Sequence, residues 1–112
     1  MPLMATKPNA NTSHALIAHI SQDLEAIVPG FLDNRRRDVQ RLEAALEQHD
    51  LKTIELIGHR MNGDGGGYGF SAISAIGAAL EQATARKDLV AIRRHTAELI
   101  DFLARVRVVY QR

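Results

Sequence analysis

The chain contains no cysteine, which removes disulfides, thiolate metal sites and cysteine nucleophiles from consideration. Tryptophan is also absent, and aromatic residues make up only 4% of the sequence, too few for a base-stacking nucleic-acid platform. An excess of one charge is missing as well. The 14 basic residues stand against 13 acidic ones, a formal net charge of +1, without the strongly positive field that neutralises phosphates along DNA or RNA. No apolar run approaches the ~20 residues that cross a bilayer, and residues 1–12 lack the apolar core of a secretory signal. A cytoplasmic protein that engages neither membrane nor nucleic acid is expected.

What is present is helix periodicity. The 112 residues suit one domain. Residues 1–12, with Pro2, Pro8, Asn9 and Asn11, read as a flexible tail ahead of a domain over 13–112. Apolar residues then recur at three- and four-residue steps. A first helix is expected from a Ser13 cap to Val28, with Leu16, Ile20, Leu24 and Ile27 in one stripe, ended by Pro29 and Gly30. A second runs from Phe31 to His49 through Leu32, Val39, Leu42 and Leu46. Asp50 caps a third, carrying Leu51, Ile54, Ile57 and Met61, which should stop where Gly63, Gly65, Gly66, Gly67 and Gly69 crowd together, since each glycine costs a helix about 1 kcal/mol relative to alanine. A fourth spans Ser71 to Arg86 with Ile73, Ile76, Leu80 and Ala83 inward. The last follows Asp88 and continues through Ile92, Thr96, Leu99, Leu103 and Val106 to Tyr110. No stretch is read as alternating with period two, so no strand is expected. The fold class is all-α: an antiparallel, up-and-down four-helix bundle with an additional N-terminal helix.

On a wheel of about 100° per residue, Leu51, Ile54, Ile57, Gly58 and Met61 share one face of the third helix, and His59 lies roughly 160° from its centre. Its wheel neighbours are Lys52, Glu55, Leu56, Asn62 and Gly63. An outward imidazole is a nucleophile near neutral pH and reaches another protein's active site. Gly63, one turn on, leaves the approach open, and Leu56 offers an apolar contact. An exposed histidine is more often plain surface, and position alone does not decide between the two. The glycine run lacks the lysine and hydroxyl ending of a nucleotide-binding loop and has no preceding strand. His14, His19, His49 and His95 provide only the one-turn pair His95 and Glu98, short of the three or four ligands a metal site needs, so no metal is expected. The run Arg35, Arg36, Arg37 reads as a solvated face, with attraction to an acidic partner as the alternative.

The string His59-Arg60-Met61-Asn62-Gly63-Asp64-Gly65-Gly66-Gly67-Tyr68-Gly69-Phe70 resembles the signature of histidine-containing phosphotransfer (HPt) domains: a histidine, two variable residues, usually a lysine, then glycine. The resemblance covers roughly residues 13 to 110, including the Phe31–Leu46 segment, Ala79-Leu80-Glu81 and the closing Arg105-Val106-Arg107-Val108-Val109-Tyr110. It implies that His59 is the phosphoacceptor, that Asn62 stands where the lysine usually does, and that Glu81 lies near the ring. It further implies a docking face of Lys52, Glu55, Leu56 and Arg60, and a helix-crossing turn at Gly66, Gly67 and Gly69, where Gly69 allows the close crossing of the two helices. By the same resemblance the partners are receiver domains of response regulators and a sensor or hybrid histidine kinase. The domain is a phosphocarrier rather than an enzyme, has no cofactor of its own, works with Mg²⁺ supplied by the receiver, and is a monomer. Asn62 brings no positive charge and Asp64 adds a negative one. Both weaken the phosphorylated state and sustain the alternative of a module that docks receivers without carrying phosphate.

Overall fold

Asp50 and Asp88 set the frame of the molecule by capping two helices. The Asp50 carboxylate accepts from the Thr53 amide at 3.1 Å and the Thr53 hydroxyl at 2.6 Å, and Asp88 accepts from the Ala91 amide at 3.0 Å. Each satisfies a donor that the first helical turn leaves open. The computed structural model describes residues 14–112; the expected tail over 1–12 and the Ser13 cap lie outside them. In chain order the elements are strand β1 (Leu16–Ser21), a 3-10 turn (Gln22–Leu24), helices α1 (Val28–Glu47), α2 (Leu51–Gly67), α3 (Ser71–Ala85) and α4 (Leu89–Arg105), and strand β2 (Val106–Gln111).

Four helices therefore form around one core. Ile20, Val28, Leu42, Ile54, Met61, Ile73, Leu80, Ile92 and Leu99 are its largest fully buried side chains. Helix α2 packs on α1 and α3, and α4 packs on α3 and α1. An aromatic group closes the end near the α2–α3 turn: Phe31 stacks on Tyr68 at 4.3 Å and on Phe70 at 5.3 Å, and Phe102 meets Phe70 edge-on at 6.4 Å.

Three expectations are corrected. The additional N-terminal helix does not form among the described residues: the Leu16–Ser21 segment is a strand, and a single 3-10 turn follows it before α1. The last helix ends at Arg105 instead of reaching Tyr110, because Val106–Gln111 is also a strand. The two pair in parallel, from Leu16 opposite Val106 to Ser21 opposite Gln111. The stripe of Leu16 and Ile20 fits a helix, but Leu16, Ala18 and Ile20 also alternate with Ile17, His19 and Ser21, and Val106, Val108 and Val109 are β-branched. Pairing between segments so far apart in sequence decided the conformation, and local periodicity does not see it.

The third correction concerns the glycines. α2 runs on through Gly63, Gly65, Gly66 and Gly67. Packing holds it: a Cβ at the buried Gly65 would lie 2.5 Å from the Ser74 backbone nitrogen, so glycine there permits close contact with α3. The chain turns at Gly69, whose φ of +82° suits glycine, while the Phe70 amide bonds back to the Gly65 carbonyl at 2.8 Å.

Candidate functional site

His59 sits mid-way along α2 on a surface made by α2 and α3. Its side chain is 74% exposed, and its Nδ1 lies 3.0 Å from Oε2 of Glu81, a half-buried residue of α3. Their meeting depends on how closely the two helices approach. A Cβ on Gly77 would fall 2.5 Å from both the Asn62 nitrogen and the Gly58 carbonyl oxygen, and one on Gly58 would fall 2.8 Å from the Gly77 carbonyl oxygen. Three glycines, Gly58 and Gly65 on α2 and Gly77 on α3, thus open the crossing. Gly66 and Gly67 are the last residues of α2 and have open space at their Cβ positions, and Gly69 serves the turn. The signal for Gly58 and Gly77 was available in the sequence, since both fall on the inward faces of their helices.

The Glu81 contact has a chemical consequence. An ionised carboxylate only accepts hydrogen bonds, so Nδ1 is the protonated nitrogen of the neutral ring. The Nε2 lone pair is then free. Beside it Gly63 offers open space, and Leu56 stands 50% exposed. Lys52, Glu55 and Arg60 are exposed on the same helix. Arg60 turns toward α1, lining a cavity of about 230 Å³ with Arg35, Asp38, Arg41 and Asp64.

Asn62 is engaged otherwise than the motif suggests. The Ser74 hydroxyl of α3 lies 2.7 Å from its carbonyl oxygen and 2.8 Å from its Oδ1, so the side chain ties α2 to α3. Ser74 has no motif and went unnoticed in the sequence. Asp64 faces α1, with Oδ2 3.5 Å from Nη1 of Arg35. Arg35 is buried rather than solvated: Nε is 3.0 Å from Asp38, and the guanidinium stands 4.8 Å from the Phe31 ring centre. Neither Nε nor Nη1 has hydrogen-bond geometry toward a partner, so these ion pairs act by charge proximity. Arg36 and Arg37 remain exposed, pairing with Asp33 at 2.8 Å and Asn34 at 2.6 Å. His95 meets Glu98 at 2.8 Å; no group of three or more potential metal ligands exists among the described residues.

A family model described as Hpt domain matches residues 26–108. The chain belongs to the Hpt domain family. Hpt domains carry phosphoryl groups in two-component signalling, exchange them with receiver domains and histidine kinases, and are not kinases themselves. No curated protein and no solved structure matches the chain. The matched span takes in all four helices of this Hpt domain but begins after β1. No helix among its described residues is long and apolar enough to cross a membrane.

Proposed function

We propose that this Hpt domain is a phosphorelay intermediate that accepts a phosphoryl group on Nε2 of His59 and exchanges it with a receiver aspartate. The observation that carries the reading is the exposed ring whose Nδ1 is held by Glu81. In the loading step the aspartyl O–P bond breaks as the Nε2–P bond forms, and the receiver regains its carboxylate. The ring keeps its Nδ1 proton and gains positive charge beside the Glu81 carboxylate, which favours the adduct electrostatically. The receiver brings Mg²⁺ and its acidic pocket to the transferring group, so the domain needs no cofactor of its own. It has no autonomous kinase activity, acts in the cytoplasm on an antiparallel up-and-down bundle, and docks through Leu56, Lys52, Glu55 and Arg60 around the ring and Gly63. A sensor or hybrid histidine kinase stands upstream.

A second reading, a module that docks receivers without carrying phosphate, is favoured by one observation: Asn62 is neutral and engaged with Ser74. One assay separates the two. The domain is incubated with a phosphorylated receiver and Mg²⁺, and an acid-labile, base-stable adduct is sought. Label lost in His59→Gln supports transfer. Binding without label overturns it in favour of docking alone.

A further inference from the structure

β1 and β2 are the least supported part of the fold. They make up a two-stranded sheet among the described residues, so each strand keeps one edge of backbone N–H and C=O groups that meets no other strand. Of the inward row, Ala18, Val106, Val108 and Tyr110 pack on the core yet are only half buried, as is Leu16; Ile20 alone is fully covered. On the outward row Ile17 is 53% and Val109 43% exposed. A two-stranded sheet is marginal in water unless a third strand or further packing covers it. This one has partial packing on the core and no third strand among the described residues.

The sequence of β2 says which neighbour fits. Val106–Gln111 contains no proline, lysine or glycine, and its alternation runs unbroken; Arg107 is the one charge on the strand, and neither a proline nor a bulge interrupts its edge. Because side chains alternate, two copies of β2 keep their inward rows on one face only in every second antiparallel register. An axis centred on Val109 sets Val109 opposite its own copy on the outward face, flanked by Arg107 opposite Gln111, with Val108 opposite Tyr110 on the inward face. No like charges meet. Gln111 donates through Nε2 to Nδ1 of His19 at 2.8 Å, which leaves its amide oxygen to accept from Arg107 of a second copy. The corresponding pairing of β1 about His19 sets histidine against histidine and Ile17 against Ser21, which is poorer.

We infer that β2 is a dimerisation edge. Two copies of this chain pair β2 to β2 antiparallel about a twofold axis at Val109, in place of the monomer expected from the sequence. The four-stranded sheet β1-β2-β2-β1 joins both half-buried inward rows into one apolar strip and uses the free backbone groups of both edges. It does not involve His59 and stands independently of the transfer reading.

The absence of cysteine makes a clean test. Sedimentation equilibrium of the full chain is expected to give twice 12.4 kDa, and Val109→Lys, which sets two ammonium groups face to face at the axis, is expected to give the monomer with an unchanged helical circular dichroism spectrum. Val109→Cys, which needs no added charge, should cross-link under mild oxidation far faster than Ile17→Cys on the other strand. A monomeric parent overturns the inference and leaves the edge to residues 1–13 or to another protein's strand. So does a dimer that survives Val109→Lys, or an Ile17→Cys variant that cross-links as fast as Val109→Cys.

Discussion

Glu81 supplies His59 with something its own helix does not, a carboxylate fixed at Nδ1 from across the α2–α3 crossing. Its contribution is bounded by exposure: ion pairs this open to solvent are worth up to ~1 kcal/mol. Glu81→Ala should therefore slow loading only a few-fold in a stopped transfer assay, whereas His59→Gln should abolish the adduct. Glu81→Gln, whose amide oxygen still accepts from Nδ1, should fall between alanine and the parent. At Asn62 the relevant question is charge. Asn62→Lys should lengthen the half-life of the phosphorylated form, because a charge-assisted bond is roughly twice as strong as a neutral one. It should change stability little, below about 1 kcal/mol, because the Ser74 hydroxyl keeps the residue-62 carbonyl and loses only Oδ1; an unchanged half-life would reject the role given to this position. His59 and Glu81 were legible in the sequence, one from its helical face and the other through the family motif. The Ser74 contact was not, since it joins residues on different helices with no spacing rule between them.

Two kinds of glycine share α2 and α3, and they predict opposite signs. Gly77→Ala drives a methyl group against the backbone of Asn62 and Gly58, atoms that cannot rotate away, so it should cost about 1–3 kcal/mol and lower the urea midpoint. Gly66 is helical with nothing within 4 Å of its Cβ position, so Gly66→Ala should raise the midpoint, by up to ~1 kcal/mol. Equal effects would mean that the crossing is not set by small residues. At the start of α2, the Thr53 hydroxyl, and then its backbone amide, hold the Asp50 carboxyl below its usual value of 3.8. A group held low in the folded state stabilises above its unfolded value and loses that contribution as pH falls through the folded one. Asp50→Asn should therefore flatten the acid limb of the stability–pH curve below about 3.8 in urea titrations. The caps at Asp50 and Asp88 and the apolar stripes of the four helices were readable because they are local. The strand pair and the glycine-tolerant end of α2 were not, because each is decided by packing against residues distant in sequence.

At the scale of the whole molecule, four helices hold the His59 imidazole on an outer surface with Lys52 and Glu55 exposed on the same helix, while two nearby charges turn toward α1. Asp64 turns to Arg35, and Arg60 turns to the cavity between α1 and α2. The surface around His59 keeps Leu56, Gly63 and Glu81, an open approach with an apolar edge. The near-zero net charge agrees with recognition by shape and local contact instead of long-range steering, so transfer rates should depend only weakly on ionic strength in salt-series kinetics. The account rests on which atom carries the phosphoryl group. Phosphorus NMR correlated to the imidazole protons of the phosphorylated, undenatured domain reads that atom directly. A single phosphoryl resonance coupled to the His59 ring through Nε2, absent in His59→Gln, is the predicted result; a resonance assigned to Nδ1, to another histidine, or persisting in His59→Gln would contradict it.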